Sequence, residues 1–378
     1  MSPVRDSNQD VELLSELLFA GKHSSAPGWE CENSSLALHQ YPDDTLDTAY
    51  RLTASDLDRI LSLAGSNHVV IRALGPLRQL LEEAGKQEQA QWLGQALVDE
   101  RARIDHAINF LQQICSTLED HGCPVTVIKS LDHWPDLGSD LDLYTGADAH
   151  RVVELMGRHF GATLAERSWG DRLANKWNFI VPGLPELVEV HAGRLGQTGE
   201  QTAVTVSLAA RSKWTEINGC TFRVAAPEDR FVISTLQRMY RHFYIRLCDV
   251  LDNASLMEKR LLNFEYLRSL GTRAGIWEGI ASYLVIVSQY VSLYRGADIP
   301  LPPFVTESAR LGVDEISYRR NFLRVPILPH SVSLYASELK NLVLNGEIRN
   351  SLRLSLMPGL ATAALVEQKI TGSDKGIW

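Results

Sequence analysis

The sequence predicts a compact α/β core set between an N-terminal and a C-terminal helical region. Three observations carry this. Apolar residues recur at three- and four-residue spacing from Thr53 to about Asp120, which is the helical period. The pattern then changes to short apolar or alternating runs: PVTVIKS, LDLYT, KWNFIVPG and PELVEVHA. Such runs read as strands. After Pro227 the helical period returns. The expected divisions are 1–104 mostly helical, 105–225 the α/β core, and 226–378 a helical C-terminal domain.

In chain order, VELLSELLFAG is a short helical pattern, followed by the polar stretch HSSAPGWECENSS at 23–35. LTASDLDRILSLAG and the long segment from Ala73 to Gly122 are helical, and Gly122 with Pro124 stops the last helix. PVTVIKS is a buried strand, and LDLYT is a second strand after a loop containing Pro135 and Gly138. In that loop Asp132, His133 and Asp136 read as surface residues. AHRVVELMGRHFG is an amphipathic helix ending at Gly161, and the next two strands turn around Pro182-Gly183-Leu184-Pro185. PEDRFVISTLQRMYRHFYIRLCDVLDNASLMEKRLLN is two helices or one bent helix. More helices run to about 295, with ASYLVIVSQYVSLY as a buried one. A Pro-rich join (DIPLPPF) and an amphipathic tail complete the chain.

The 378 residues are 45% hydrophobic and 22% charged, enough apolar material for a large core. No apolar run reaches the roughly 18 residues of a membrane span, and MSPVRDSNQDVELL has no apolar signal core. Membrane partners are therefore not expected. The five cysteines (Cys31, Cys115, Cys123, Cys220, Cys248) are scattered and form no CxxC pair. That reads as reduced thiols in a cytoplasmic protein. The net charge of −9 and the lack of a basic block argue against nucleic acid as a partner.

The informative stretch is GSDLDLYT. Asp140 and Asp142 alternate with Leu141 and Leu143, so a strand would point both carboxylates to one face. At about 5 Å and an effective dielectric near 20, their repulsion is roughly 3 kcal/mol. An exposed strand face would lower that cost. A cation between the two would turn the repulsion into chelation.

The context favours the cation. Ile128-Lys129-Ser130 ends the first strand, nine residues intervene from Leu131 to Ser139, and Asp140-Leu141-Asp142-Leu143 follows. This resembles the polymerase-beta-like nucleotidyltransferase superfamily: an apolar residue, Gly, Gly or Ser, a spacer, then Asp-apolar-Asp. Lys129 departs from the pattern, standing where the first Gly is usual. Glu189, in LVEVHAGRL, is the candidate third carboxylate. Within the superfamily, VIKS, GSDLDLY, VEVHAGRL and QRMYRHFYIRLCDVLD resemble, in order, the motifs of a branch of uncharacterised nucleotidyltransferase-family proteins. The resemblance covers roughly residues 70 to 260. It implies an α/β nucleotidyltransferase core, a small mixed sheet flanked by helices, embedded between the two helical regions.

The resemblance also implies a chemistry. Asp140, Asp142 and Glu189 would be catalytic and would hold two Mg²⁺ ions, with ATP or another nucleoside triphosphate as substrate. Lys129, Ser130, Ser139, Lys176, Arg241 and His242 are the expected nucleotide-binding residues. His191, Arg172 and Arg246 are candidates for contacting the acceptor or orienting an acid. Each has a plainer reading: a strand-end lysine, a structural histidine, a solvated helix face, or an Arg246–Asp249 pair one turn apart. The expected reaction transfers a nucleoside monophosphate, AMP in the first instance, to a small-molecule or protein acceptor. Carboxylate adenylylation leading to ligation, and nucleotide or partner binding without turnover, remain alternatives.

Overall fold

The computed structural model describes residues 7–20 and 41–359. The polar stretch at 23–35 with Cys31, and the amphipathic tail from residue 360, lie outside the described residues. The chain opens with helices α1 (Ser7–Phe19), α2 (Asp43–Tyr50), α3 (Ala54–Ser66), α4 (Val70–Glu83) and α5 (Gln87–Asp120). Then come β1 (Val125–Val127), β2 (Asp140–Thr145), α6 (Ala149–Phe160), β3 (Thr163–Leu164), α7 (Trp169–Leu173), β4 (Lys176–Ile180) and β5 (Leu187–Ala192). The core closes with α8 (Thr202–Arg211), β6 (Lys213–Ile217) and β7 (Cys220–Val224). Helix α6 is bounded as its sequence expects. Asp148 caps it by accepting from the His150 and Arg151 amides, and Gly161 ends it with a left-handed backbone.

The strands form one mixed sheet in the order β3-β4-β5-β2-β1-β7-β6. β2 pairs parallel with β5 and antiparallel with β1, and β4 pairs antiparallel with β5. Strands β3, β6 and β7 are additions to the sequence reading. β3 has only two residues, and β6 (KWTEI) is an edge strand with nearly every side chain exposed. Neither shows the apolar alternation that marks a half-buried strand.

After the sheet come α9 (Pro227–Thr235), a π-helical segment Leu236–His242, β8 (Tyr244–Ile245), α10 (Leu247–Glu258), α11 (Phe264–Ala274) and α12 (Trp277–Arg295). The chain continues through α13 (Pro303–Ser308), β9 (Ser317–Arg319), β10 (Phe322–Arg324), α14 (Val332–Leu344) and α15 (Ile348–Ser355). The C-terminal region is thus not purely helical: β8, β10 and β9 form a three-stranded antiparallel sheet. The segment read as one bent helix or two is broken at Phe243, whose φ of 54° is left-handed. Among the described residues, no helix is long and apolar enough to cross a membrane.

Two cores result. One lies between the sheet and helices α5 and α6, joining Ile104, Leu111 and Met156 to Leu141, Leu143, Val188 and Val190. The other joins the first helices to the last ones, with Leu14, Leu17, Leu74 and Leu77 packed in one cluster with Val232, Leu247, Tyr283 and Ile286. Buried hydrogen bonds lock that junction, including Ser15 Oγ with Tyr290 Oη at 2.8 Å and the Leu247 amide to Asn67 Oδ1 at 3.1 Å. Helix α5 runs unbroken past residue 104. Leu93 and Leu97 pack in the interterminal core, and Ile104 onward packs under the sheet.

Candidate functional site

Strand alternation sorts β2 cleanly. Leu141 and Leu143 are buried under the sheet, so Asp140, Asp142 and Tyr144 point to the opposite face. Register then sets their neighbours. Asp142 stands opposite Glu189 and Tyr144 opposite His191 on the parallel strand β5. From β4, Asn178 stands opposite Glu189 and Lys176 opposite His191. One face of three adjacent strands therefore carries Asp140, Asp142, Glu189, His191, Asn178 and Lys176. Asp142, Glu189 and His191 each bring a ligand atom to within 4.8 Å of the others.

The loop after β1 supplies Lys129. Its ammonium is ion-paired with Asp142 Oδ1. Lys176 Nζ lies 2.7 Å from Glu189 Oε1 and 3.6 Å from Asp171 Oδ1. Asp171 also faces Arg241 at 3.6 Å, which ties the π-helical segment to the site. The Ser130 hydroxyl bridges two backbone groups of β2, donating to Asp140 O at 3.1 Å and accepting from the Asp142 amide at 2.7 Å. It fixes the position of the Asp140–Asp142 segment. Ser139 Oγ donates to Asp140 Oδ2 at 3.2 Å.

The carboxylates are electrostatically unequal. Burial opposes the charge of Asp142, but Lys129 and His191 beside it hold its carboxyl far below the usual range. Burial and the Asp142 charge push Glu189 up to about 7, with Lys176 restraining the rise. Burial and the same neighbour also raise Asp140. Burial pushes His191 down to about 4, so at neutral pH it is an uncharged imidazole. Its Nε2 is 3.6 Å from Asp142 Oδ1, and neither ring nitrogen has a hydrogen-bond partner. A buried imidazole with two unpartnered nitrogens is costly and suits a site that receives a ligand. His242 is also held neutral, by burial and by the charges of Arg241, Arg238 and Lys129.

Two candidates are engaged elsewhere. Arg172 lies over the Trp169 ring at 5.3 Å. Arg246 lies over Tyr244 at 5.5 Å and Phe322 at 5.9 Å, against the small sheet. The side-chain pair expected between Arg246 and Asp249 is not formed. Asp249 instead accepts from the Arg246 amide at 2.7 Å and pairs with the buried Arg238 Nε at 2.6 Å.

The loop residues Asp132, His133 and Asp136 are not surface residues. His133 and Asp136 are buried, and Asp132 Oδ1 pairs with Arg230 Nε at 2.6 Å. Asp136 accepts from the Ile71 amide at 2.6 Å and from Arg72 Nε at 2.7 Å. Asp252 joins Arg72, at 2.5 Å, to His133 Nδ1, also at 2.5 Å. This network pins the loop between β1 and β2 to both α4 and α10. Its members are remote from one another in the chain, so no local spacing announces it. Asp171 is not a candidate in the sequence for the same reason: its partners Lys176 and Arg241 meet it only in the fold. A cleft lined by Lys129, Asp132, His133, Arg230, Gln237 and Asp249 opens between this loop and helices α9 and α10. Lys129 lies both in the cleft lining and against the carboxylates.

No family model matches the chain, and no curated protein matches it. Among solved structures, it is similar to the crystal structure of an antigenic nucleotidyltransferase-like protein from Paracoccidioides brasiliensis, with 17% sequence identity and a TM-score of 0.37. The similarity covers 54% of this chain and 97% of that one.

Proposed function

We propose that this chain is a metal-dependent nucleotidyltransferase. It transfers a nucleoside monophosphate, with AMP from ATP as the first donor to test, to a small-molecule or protein acceptor. In the reaction, an acceptor oxygen forms a bond to the α-phosphorus, the bond from that phosphorus to the β-bridging oxygen breaks, and pyrophosphate leaves. One observation carries the reading. Asp142 and Glu189 are register partners on adjacent parallel strands, with Asp140 on the same polar face.

The donor set fits a divalent cation. Asp140 and Asp142 offer the hard oxygens Mg²⁺ favours; burial first, and then the Asp142 charge, raises Asp140, and a cation would relieve that repulsion. When bound, Mg²⁺ would neutralise charge on the triphosphate. The remaining work falls to the chain. Glu189, pushed up to about 7, is poised to take the acceptor proton near neutral pH. Lys129, Arg241 and the neutral His242 supply charge and hydrogen bonding for the triphosphate. Ser130 keeps β2 in place through its two backbone contacts.

A second reading has its own support: Asp142 and Glu189 each already have a lysine partner. A site so neutralised would suit nucleotide binding without turnover. The distinguishing experiment is pyrophosphate release from each of the four nucleoside triphosphates with Mg²⁺, read beside calorimetric binding. The wild type is compared with an Asp140→Asn/Asp142→Asn variant. Metal-dependent binding with pyrophosphate release, both lost in the variant, supports transfer. Tight binding with no release across an acceptor screen supports the second reading. AMP release that requires both an acid and an amine would identify the acceptor chemistry as ligation.

A further inference from the structure

We propose that Lys129 stands in for the second divalent cation, so that this site takes up one cation per bound nucleotide rather than two. The inference rests on the nucleotidyltransferase reading above and deepens it.

The backbone points to the side chain. Lys129 has φ 63° and ψ −59°, and the Ser130 amide donates to Ile128 O at 2.7 Å across it. This is a γ-turn of the strained hand, a conformation suited to glycine and unfavourable for an L residue. Lysine brings nothing the turn needs. What it adds is an ammonium delivered to Asp142 Oδ1.

The same holds across the register pair. Lys176, itself buried, sits 2.7 Å from Glu189 Oε1. A cation bridging Asp142 Oδ1 and Glu189 would have to displace both ammonium groups or sit against them in a site of low dielectric, where like-charge repulsion is strong. Among the described residues no lysine is ion-paired with Asp140, although the charges of Lys129 and Lys176 both act on its carboxyl; it accepts a hydrogen bond from the Ser139 hydroxyl at 3.2 Å. The contacts of Lys129 and His191 with Asp142 both fall on Oδ1, so Oδ2 takes part in neither. The acids left to a single cation would be Asp140, on which the Asp142 charge acts, and the oxygen of Asp142 that Lys129 does not meet. A tethered ammonium differs from a second metal in having no coordination shell to complete, and a chelator cannot remove it.

The test counts Mn²⁺ per bound nucleotide by equilibrium dialysis, using α,β-methylene ATP. Dipolar coupling between paired Mn²⁺ ions is read by electron paramagnetic resonance on the same samples. The wild type should bind one Mn²⁺ per nucleotide and show no coupling. Lys129→Arg should also bind one. Lys129→Gly, which suits the turn and removes the ammonium, should rise to two and show the coupling. Two ions in the wild type, or one in a folded Lys129→Gly, would overturn the proposal. If circular dichroism shows that Lys129→Gly does not fold, the wild-type and Lys129→Arg counts decide the matter. Two ions with nucleotide bound would sink this inference alone. Failure to bind nucleotide at all, with or without Mn²⁺, would sink the functional reading together with it.

Discussion

Asp142 and Glu189 face each other in register across β2 and β5, and each is met by a different lysine. The two acids nevertheless titrate apart. Asp142 is held far down by Lys129 and His191 against the cost of its burial, whereas Glu189 is pushed up to about 7 by burial and by the Asp142 charge. Paired groups whose surroundings separate their titrations divide the work of charge and proton handling. In the proposed transfer, Asp142 would be the permanent anion and Glu189 the group that exchanges a proton.

Asp142→Asn should therefore remove the anion on which cation binding depends. Pyrophosphate release should fall by at least about a hundredfold, the scale of losing one preorganised electrostatic contact in a catalytic site. Mn²⁺ binding should weaken in parallel. Unchanged turnover in the purified variant would remove Asp142 from the mechanism.

Glu189 predicts a pH dependence whose sign follows from its raised value. The folded chain holds this proton more tightly than the unfolded chain does. The favourable contribution to stability is thus largest below the ordinary glutamate range and is lost as pH rises through about 7. Catalysis should run the other way, rising as the carboxyl ionises and becomes a base. Glu189→Gln should abolish that rise in the rate profile while retaining nucleotide binding. A rate profile unchanged in shape would show that the proton goes elsewhere.

Arg238 is fully enclosed and depends on Asp249 at 2.6 Å for its counter-charge. Asp249→Ala would leave a buried guanidinium unpaired, and it would also remove the acceptor for the Arg246 amide that starts α10. The expected loss is about 3–5 kcal/mol in urea unfolding, typical of breaking a buried pair from one side. Replacing both partners, as Arg238→Met/Asp249→Leu, should recover part of it. A loss under about 1 kcal/mol in Asp249→Ala would place the pair among the weak, solvated kind.

Gly279 in α12 lies under the ring of Tyr240. A Cβ there would meet Tyr240 Oη at 2.4 Å and the ring carbon Cε2 at 2.5 Å. Tyr240 is buried and sits in the π-helical segment just before Arg241 and His242. Gly279→Ala should cost about 1–3 kcal/mol by overpacking. By displacing the segment it should also raise the KM for nucleotide more than it lowers kcat. Unaltered nucleotide binding with the stability loss intact would uncouple the π-helical segment from the site.

Much of the architecture was legible because it follows local rules. The helical period marked α3 to α5, and Gly161 marked the end of α6. Alternation around Asp140 and Glu189 marked β2 and β5. Strand β6 was not legible, since an exposed edge strand needs no apolar alternation; β7, inside the sheet with only Phe222 fully buried, is too short to stand out. Nor was the small sheet of β8, β9 and β10: β8 has two residues and interrupts a segment that reads as helix, and β9 and β10 have three each.

The sequence by itself determined that Asp140 and Asp142 share a strand face, because side-chain period on a strand is two residues. Tertiary structure alone decided that Glu189 is the register partner of Asp142, that Lys129 and Lys176 reach these acids, that Asp171, His133 and Asp136 are buried, and that Asp252 pairs with His133. The physical reason is range. Periodicity and turn chemistry act between residues a few positions apart, whereas charge pairing and desolvation depend on distances that exist only after the chain has closed on itself.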